Sequence, residues 1–253
     1  MPLEYARYFE PFVGGAALFL HLTPAVATIA DLNADLIVLY RAIADDVEAV
    51  IDQLTAFKSS HRERGSDFYY VVREQWNEQR AGWTPAERAA ALIYLNKTCF
   101  NGLWRVNKSG KFNVPAGKYV NPSIFDPDDL RAASAALSRA EILCGDYRDV
   151  VARAEEGDFL YFDPPYDPVA PTANFTSYTS DGFGPDQQAQ LADVARELVA
   201  RGCRVMLSNS DTPRIRALYE DFRISVVQCG RAINSDATKR GSVSELIICG
   251  GYR

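Results

Sequence analysis

Residues 158–166 read Asp158-Phe159-Leu160-Tyr161-Phe162-Asp163-Pro164-Pro165-Tyr166. The apolar run before Asp163 predicts a buried strand, and the two prolines end it because neither has an N–H to donate to a sheet ladder. A carboxylate, proline carbonyls and an aromatic ring therefore meet at the carboxyl end of a strand, where open α/β sheets bind ligands. The set suits a planar group that carries an NH2, with acceptors for the amine and a ring against the plane.

Strands and helices alternate on both sides of this segment. Apolar runs predict strands at residues 6–12, 25–30, 141–144, 204–208, 224–229 and 245–249. Helices are predicted from about Ala16, from about Asn33 and over 185–201, so the chain opens as a βαβ unit. No clear helix separates the last two strands, which predicts an antiparallel hairpin that closes the sheet. The fold class is therefore α/β with a Rossmann-like sheet.

The middle of the chain has a different character. Residues 46–139 are helical by pattern and lack a strong strand, which predicts an inserted domain between residues 1–45 and 140–253. Its segment Lys97–Lys118 predicts a hairpin that turns at Asn107–Gly110, where Gly110 is free to take a positive φ. This segment carries five cations and no acidic residue: Lys97, Arg105, Lys108, Lys111 and Lys118.

Composition narrows the class of protein. The chain has 253 residues and a net charge of −6, from 27 basic and 33 acidic residues, so any nucleic-acid surface must be local. No apolar stretch is long enough to predict a membrane span. Five widely spaced cysteines without a C-x-x-C pair, and only two histidines, predict no metal site and a reducing cytoplasm.

Two further positions suggest a ligand, although each has a simpler interpretation. Gly14 and Gly15 follow the first strand, so a backbone turn there can approach a ligand closely, or it simply needs a positive φ. Asp31 ends the second strand. Its carboxylate can accept hydrogen bonds from both ribose hydroxyls of an adenosine, or it caps the helix that follows.

Taken together, these motifs resemble the Dam-like DNA adenine-N6 methyltransferases, which use S-adenosylmethionine. The similarity spans nearly the whole chain, because its blocks follow the family's order: Glu10–Gly15, Asp31–Asn33, Asn101–Leu103 with Arg105, Gly110–Pro115, Gly145–Tyr147, Asp163–Tyr166, Asn174-Phe175 and Ile233–Ser235 with Arg240-Gly241. The resemblance implies a Rossmann-like methyltransferase sheet with an inserted, mostly helical target-recognition domain that contains the basic hairpin.

The resemblance also implies roles for individual residues. The catalytic set is Asp163, Pro164, Pro165 and Tyr166, whose acceptors hold the amine of a flipped-out adenine while the tyrosine ring stacks on the base. The S-adenosylmethionine site comprises Phe12, Gly14, Gly15, Asp31, Asp146, Tyr147 and Asp163. For Asp146 and Tyr147 the simpler interpretation is a turn at the end of a strand.

Double-stranded DNA is the implied partner. Its candidate contacts are Asn101, Arg105, Asn107, Lys108, Lys111, Asn113, Asn174, Phe175, Asn234, Ser235 and Arg240, with Trp104, Phe112 and Tyr119 as anchors of the hairpin. A solvated basic turn and an ordinary surface loop are the simpler interpretations of 101–118 and 174–178. His61, Arg62 and Arg64 are predicted to form a solvated surface.

The chain departs from the family pattern in two places. Family members carry a further glycine where this sequence has Ala16, and a block similar to Lys-Trp-Ala-Gly-Gly-Lys upstream of the glycine turn, which has no counterpart here. The expectations are a start farther upstream or weaker cofactor binding. Two alternative functions therefore remain open: a catalytically impaired DNA-binding homologue, and an enzyme that acts on RNA or on another amine.

Overall fold

The computed structural model describes residues 1–169, 183–230 and 242–252. The chain forms two compact units, one of Met1–Leu32 with Leu143–Arg253 and one of Asn33–Ile142. The second unit begins earlier in the chain than the insertion predicted at 46–139. The reason is that the helix Ala34–Asp45, assigned by pattern to the first unit, packs against helices of the second.

The elements of the described residues follow one another in a mixed order. They are β1 (Tyr8–Glu10), α1 (Ala17–Leu22), β2 (Ala27–Asp31), α2 (Ala34–Asp45), α3 (Val47–Arg64), α4 (Ser66–Gln79), α5 (Pro85–Thr98), α6 (Pro127–Leu137), β3 (Ala140–Cys144), α7 (Tyr147–Val151), β4 (Phe159–Phe162), α8 (Pro185–Ala200), β5 (Arg204–Ser210), α9 (Pro213–Leu218), β6 (Arg223–Gly230) and β7 (Ser242–Gly250).

The strands form one seven-stranded sheet in the order β3-β2-β1-β4-β5-β7-β6. β1 is parallel to β2 and β4, and β4 is parallel to β5. β7 runs antiparallel to both β5 and β6, which confirms an antiparallel pairing of the last two strands. β7 lies between β5 and β6, so the carboxyl ends of β1, β2, β4 and β5 share one edge of the sheet.

Both faces of the central strands are covered, as is usual for parallel sheets. Successive side chains point to opposite faces of a strand. Phe9 and Leu160 therefore join an aliphatic core with α7 and α8, whereas Tyr8 and Phe159 pack on the other face with ring centroids 5.6 Å apart. This two-sided burial explains why β1 and β4 are continuous apolar runs without alternation.

The second unit is helical, and its helices begin at residues that cap them. Asn33, Asp46 and Asp126 each accept a hydrogen bond from a backbone N–H in the first turn of α2, α3 and α6. α5 begins with a capping box, in which Thr84 and Glu87 satisfy each other's backbone N–H groups, and Pro85 occupies the first helical turn. α5 packs against α2, α3 and α4. Across the described ranges, no helix is both long and apolar enough to cross a membrane.

Candidate active site at the carboxyl edge of the sheet

Asp163 follows β4 directly, and its carboxyl group reaches solvent from within a polar cluster. The buried Ser208 hydroxyl donates a hydrogen bond to Asp163 Oδ1 at 2.5 Å, and it lies 3.3 Å from the Phe162 carbonyl oxygen. The protein atoms packed around Asp163 displace part of its water, which raises the pKa of the carboxyl, and the hydrogen bond from Ser208 opposes that rise. Asp163 is therefore an accessible but partly desolvated carboxylate whose first oxygen has a fixed partner.

The two prolines after Asp163 present carbonyls but no N–H groups. The Pro165 carbonyl accepts a hydrogen bond from Gln188 Nε2 at 2.8 Å. In the described part of the chain, no group donates to the Pro164 carbonyl. Tyr166 is half-buried, and its hydroxyl lies 3.5 Å from Glu245 Oε2. The turn thus places two acceptors, Asp163 and the Pro164 carbonyl, one residue apart.

The exit from the turn is fixed by Asp167, which the sequence did not single out. Its backbone N–H donates to Asn209 Oδ1 at 3.0 Å. Its carboxylate accepts from the Thr212 hydroxyl at 2.8 Å and from Arg214 at 2.6 Å. Asp167, Asn209 and Thr212 are all buried. The polar run after the apolar part of β5, Ser208-Asn209-Ser210-Asp211-Thr212, was the available signal for this network.

The glycine turn after β1 leaves open space beside it. Gly14 has a φ of +42°, and a Cβ added at Gly14 or Gly15 would meet no atom within 4 Å. The Gly14 N–H donates to Asp31 Oδ2 at 3.0 Å. Ala16, where family members have glycine, also has a positive φ of 54°. The turn therefore needs its unusual backbone and has room beside it for a ligand.

Asp31 does not cap the helix that follows β2, so that simpler interpretation is wrong. The cap of α2 is Asn33, whose side chain accepts from the Asp35 N–H at 3.0 Å. The Gly145 N–H donates to the Asp31 backbone carbonyl at 3.2 Å, which joins the ends of β2 and β3. Asp31 thus lies beside both the glycine turn and the residues that follow β3.

Asp146 and Tyr147 begin α7, and each has a structural role. Asp146 accepts from the Arg148 N–H at 2.9 Å and pairs with the Arg148 guanidinium, whose hydrogen bond lowers the pKa of the Asp146 carboxyl. The Tyr147 ring is buried and stacks on Phe12 with centroids 5.1 Å apart. Phe183 meets Phe12 edge-on at 5.7 Å. Together the three rings form an apolar cluster next to the glycine turn.

Glu10 is a second carboxyl at this edge, and no pattern in the sequence indicated its burial. It is 2% exposed, and its Oε2 accepts from the Tyr8 hydroxyl at 2.7 Å and from the Phe19 N–H at 3.0 Å. Burial raises the pKa of Glu10 to about 7, and the charge of Asp163 adds to the rise. The two hydrogen bonds tie the glycine turn to the first helix.

In the second unit, the turn in the basic segment is shaped by its own asparagine. Asn107 Oδ1 accepts from the N–H groups of Ser109 and Lys111 at 2.9 and 3.0 Å. Gly110 has the expected positive φ, here 72°. The flanking residues make an isolated antiparallel bridge between Val106 and Phe112. Asn107 is therefore committed to the turn, and the segment is a short loop rather than an extended ladder.

The basic segment is anchored on α4. Phe112 is buried, and Asn77 bonds its N–H and its carbonyl at 2.8 and 3.0 Å. Trp104 stacks on Phe112 with centroids 4.5 Å apart. Tyr119 is 47% exposed, so its expected role as an anchor is wrong. Two aromatic anchors and one asparagine hold the segment.

The remaining polar side chains of this segment differ in how far they are committed. Arg105 donates to Asn113 Oδ1 at 2.9 Å, and Lys111 pairs with Glu78 at 3.3 Å. Asn101 is exposed with a φ of +55°, and Lys108 is exposed without a partner in the described ranges. The five other predicted DNA contacts, Asn174, Phe175, Asn234, Ser235 and Arg240, lie outside the described residues.

A polar cleft lies elsewhere in the second unit. It has a volume of about 340 Å³, and Lys58, His61 and Arg62 of α3 line it. His61 Nδ1 lies 2.7 Å from the Tyr94 hydroxyl, and burial lowers the pKa of the imidazole. The prediction of a solvated surface is right for Arg62 and Arg64 and wrong for the half-buried His61. Among the side chains that are described, no cluster of three His, Cys, Asp or Glu residues is arranged to hold a metal ion.

Comparison with known proteins agrees with this geometry. Residues 1–233 match the family model of the D12 class N6 adenine-specific DNA methyltransferases. Over 98% of its length the chain is 40% identical to the type II methyltransferase M1.LlaDCHI of Lactococcus lactis subsp. cremoris, of which it covers 87%. It is 42% identical over 96% of its length to the type II methyltransferase M.MjaIII of Methanocaldococcus jannaschii, and 37% over 96% to a DNA adenine methylase of Vibrio cholerae, with 87% of each covered.

Proposed function

Because the chain belongs to the D12 class of N6 adenine-specific DNA methyltransferases, we propose that it transfers a methyl group from S-adenosylmethionine to N6 of an adenine at a specific site in duplex DNA. One observation carries the proposal. The accessible Asp163 carboxylate and the Pro164 carbonyl, which has no donor within the described ranges, stand one residue apart at the carboxyl edge of a parallel sheet. Two such acceptors match the two N–H groups of an adenine amine.

The residues at the edge fit the proposed cofactor. The open space beside Gly14 and Gly15 suits the methionine end. A carboxylate has about four acceptor positions, so the hydrogen bond from Gly14 to Asp31 is compatible with binding a ribose. Phe12 and Tyr147 offer an apolar wall for the adenine ring. When bound, S-adenosylmethionine supplies a methyl group on a positively charged sulfur.

The chemical work falls to the acceptors of the turn. The exocyclic nitrogen of adenine is a poor nucleophile because its lone pair is delocalised into the ring. Hydrogen bonds to Asp163 and to the Pro164 carbonyl draw that nitrogen toward a tetrahedral shape and stabilise the positive charge that develops on it. Correct placement of the amine supplies much of the remaining rate. Neither a nucleophilic side chain nor a metal ion takes part in the proposed step.

The target base must leave the duplex to reach these acceptors, at a cost of a few kcal/mol. Tyr166, which follows the prolines, is the proposed stacking partner for the flipped base. The second unit, Asn33–Ile142, is proposed as the target-recognition domain, with the basic segment 97–118 as its DNA-reading part. The residues 174–175, 234–235 and 240 remain proposed DNA contacts. The site of action is then the cytoplasm, where DNA and cofactor meet.

The direct test is tritiated methyl transfer from S-adenosylmethionine to unmethylated duplex DNA. Wild-type protein should label the DNA, and Asp163→Asn should lower the rate on the order of 10²- to 10³-fold. Asp186→Asn, the same substitution at an exposed position of α8, should retain wild-type activity. Full activity in Asp163→Asn would overturn the assignment of the catalytic carboxylate.

Two further measurements separate the alternatives. Calorimetric binding of S-adenosylmethionine without any methyl transfer would point to a DNA-binding homologue that lacks chemistry. Competition between duplex DNA and structured RNA tests the substrate. Preferential labelling of RNA would replace duplex DNA with RNA as the substrate.

A further inference from the structure

The end of β5 contacts the catalytic turn from both faces of the sheet. Ser208 and Asn209 are consecutive, so their side chains point to opposite faces. Ser208 bonds Asp163, whereas Asn209 bonds the Asp167 N–H on one side and Gln188 on the other. Both residues of β5 are buried, and Gln188 and Asn209 are each 0% exposed.

The direction of every hydrogen bond in this network is fixed. Asn209 Oδ1 accepts from the N–H groups of Asp167 and Ser210, so its NH2 group must face Gln188, at 3.1 Å. Gln188 must then present its oxygen to Asn209 and its NH2 group to the Pro165 carbonyl, at 2.8 Å. Two backbone N–H groups therefore determine the orientation of two amides and of one proline carbonyl.

This arrangement solves a problem that the two prolines create. A turn that contains Pro164 and Pro165 lacks two backbone N–H groups that would otherwise hold it in place. The proline ring fixes φ of Pro165, so fixing the Pro165 carbonyl leaves the neighbouring Pro164 carbonyl little freedom. On the other face, Ser208 occupies Asp163 Oδ1, which leaves Asp163 Oδ2 to meet a substrate.

We propose that Ser208, Asn209 and Gln188 are positioning residues for methyl transfer: Ser208 directs Asp163 Oδ2 to the adenine amine, and the Asn209–Gln188 pair sets the Pro164 carbonyl. The inference rests on the proposed function, and it assigns to an α8 side chain and to the end of β5 the accuracy of the catalytic turn. Such residues act on the rate of the chemical step and leave the binding of DNA and cofactor largely unchanged.

Gln188→Met tests the amide pair because it removes both hydrogen bonds while keeping a side chain of similar length. The kcat should fall on the order of 10- to 100-fold, with the KM for DNA and the cofactor Kd within about threefold of wild type. Gln190→Met, the same substitution two residues along α8 at an exposed position, should match wild type. A wild-type kcat in a folded Gln188→Met protein would overturn the proposal.

Asn209→Asp tests whether the pair acts as one unit. Aspartate keeps the oxygen that accepts from Asp167 and Ser210, and it removes the NH2 group that orients Gln188. The variant should lose kcat, and Gln188→Met/Asn209→Asp should be no slower than the slower single variant. Multiplication of the two losses would show that the residues act independently and would contradict the relay.

Ser208→Ala supplies a second readout that a purely structural role would not change, and it removes only one hydroxyl. Its kcat should fall about tenfold or more. The acid limb of the pH profile should move to higher pH, since a donor that favours the ionised Asp163 is lost. The charged and titratable groups around Asp163 stay in place in this variant: Glu10 of β1, Tyr161 of β4, Tyr166 of the turn and Glu245 of β7.

The outcomes of the two proposals are distinguishable within one experiment. Absence of methyl transfer by the wild-type protein would count against the proposed function. An active wild type, with Ser208→Ala unchanged in both kcat and pH profile, would count against the positioning role alone.

Discussion

The Gly14 backbone N–H donates a hydrogen bond to Asp31 Oδ2 at 3.0 Å, and this contact joins the ends of β1 and β2. One carboxylate therefore shapes the glycine turn and stands where a ribose is expected. Substitution at Asp31 should affect the cofactor site through both roles, without touching the acceptors of the catalytic turn.

Asp31→Asn should weaken cofactor binding by about tenfold or more, because a neutral amide replaces a charged acceptor of two hydroxyls. Calorimetric titration with S-adenosylmethionine measures the change. The rate at saturating cofactor should stay near wild type. Asp149→Asn, at an exposed position of α7, is the control. Equal affinity in the variant and the wild type would remove Asp31 from the ribose site.

Glu10→Gln should stabilise the protein at alkaline pH. The pKa of Glu10 is raised to about 7 in the fold, above its ordinary value of 4.5, so the folded state binds a proton more tightly than the unfolded chain. This contribution is complete below about pH 4.5 and is lost as the pH rises through 7. The substituted glutamine cannot ionise, and it retains the oxygen that accepts from Tyr8 and Phe19.

The free energy of unfolding of Glu10→Gln should therefore exceed that of wild type at pH 8 by as much as about 3 kcal/mol. The difference should vanish toward pH 5. Urea denaturation at several pH values measures it, and the exposed Glu4→Gln serves as the control. A pH-independent difference would mean that Glu10 does not titrate in this range.

Ala16→Gly should not destabilise the fold, in contrast to most changes of alanine to glycine. Ala16 has a φ of 54°, a conformation that costs a residue with a Cβ about 1–2 kcal/mol. Glycine removes this strain, which offsets the added entropy of the unfolded chain. Ala132→Gly, at an exposed position within α6, should cost about 1 kcal/mol. Equal losses in the two variants would contradict the strain at Ala16.

Arg7→Met should destabilise the first unit. The Arg7 guanidinium donates to both oxygens of Asp158, with the shortest distance 2.6 Å, and Asp158 is 1% exposed. Removal of Arg7 leaves a buried carboxylate that keeps one N–H donor, Glu155, so the expected loss is on the order of 2 to 3 kcal/mol. Denaturation with and without the exposed-pair variant Arg131→Met gives the comparison. A loss no larger than that of Arg131→Met would contradict it.

Lys108→Ala should weaken DNA binding by a similar factor for every sequence, because an exposed lysine without a protein partner in the described ranges suits a phosphate. The slope of log K against log salt should fall by about 1. Arg139→Ala removes the same charge at an exposed position after α6 and should leave the slope unchanged. An unaltered slope in Lys108→Ala would place that lysine outside the DNA interface.

The sequence alone determined the features that depend on neighbouring residues. The strand Phe159–Phe162 has the predicted bounds, since prolines stop a ladder wherever they occur. Gly110 has its predicted positive φ. Pro85 begins α5, as the proline suggested. The order of the motifs was enough to identify the family.

Only the tertiary structure decided which distant residues share a site. Gln188 meets the Pro165 carbonyl and Asn209 meets the Asp167 N–H, contacts that no local pattern encodes. Glu10 follows two apolar residues in a strand, and only burial in the folded sheet raises its pKa. Asp31 offered two equal interpretations until Asn33 was found to cap the helix. Backbone preferences act over a few residues, whereas burial and long-range hydrogen bonds depend on strands that meet only in the folded sheet.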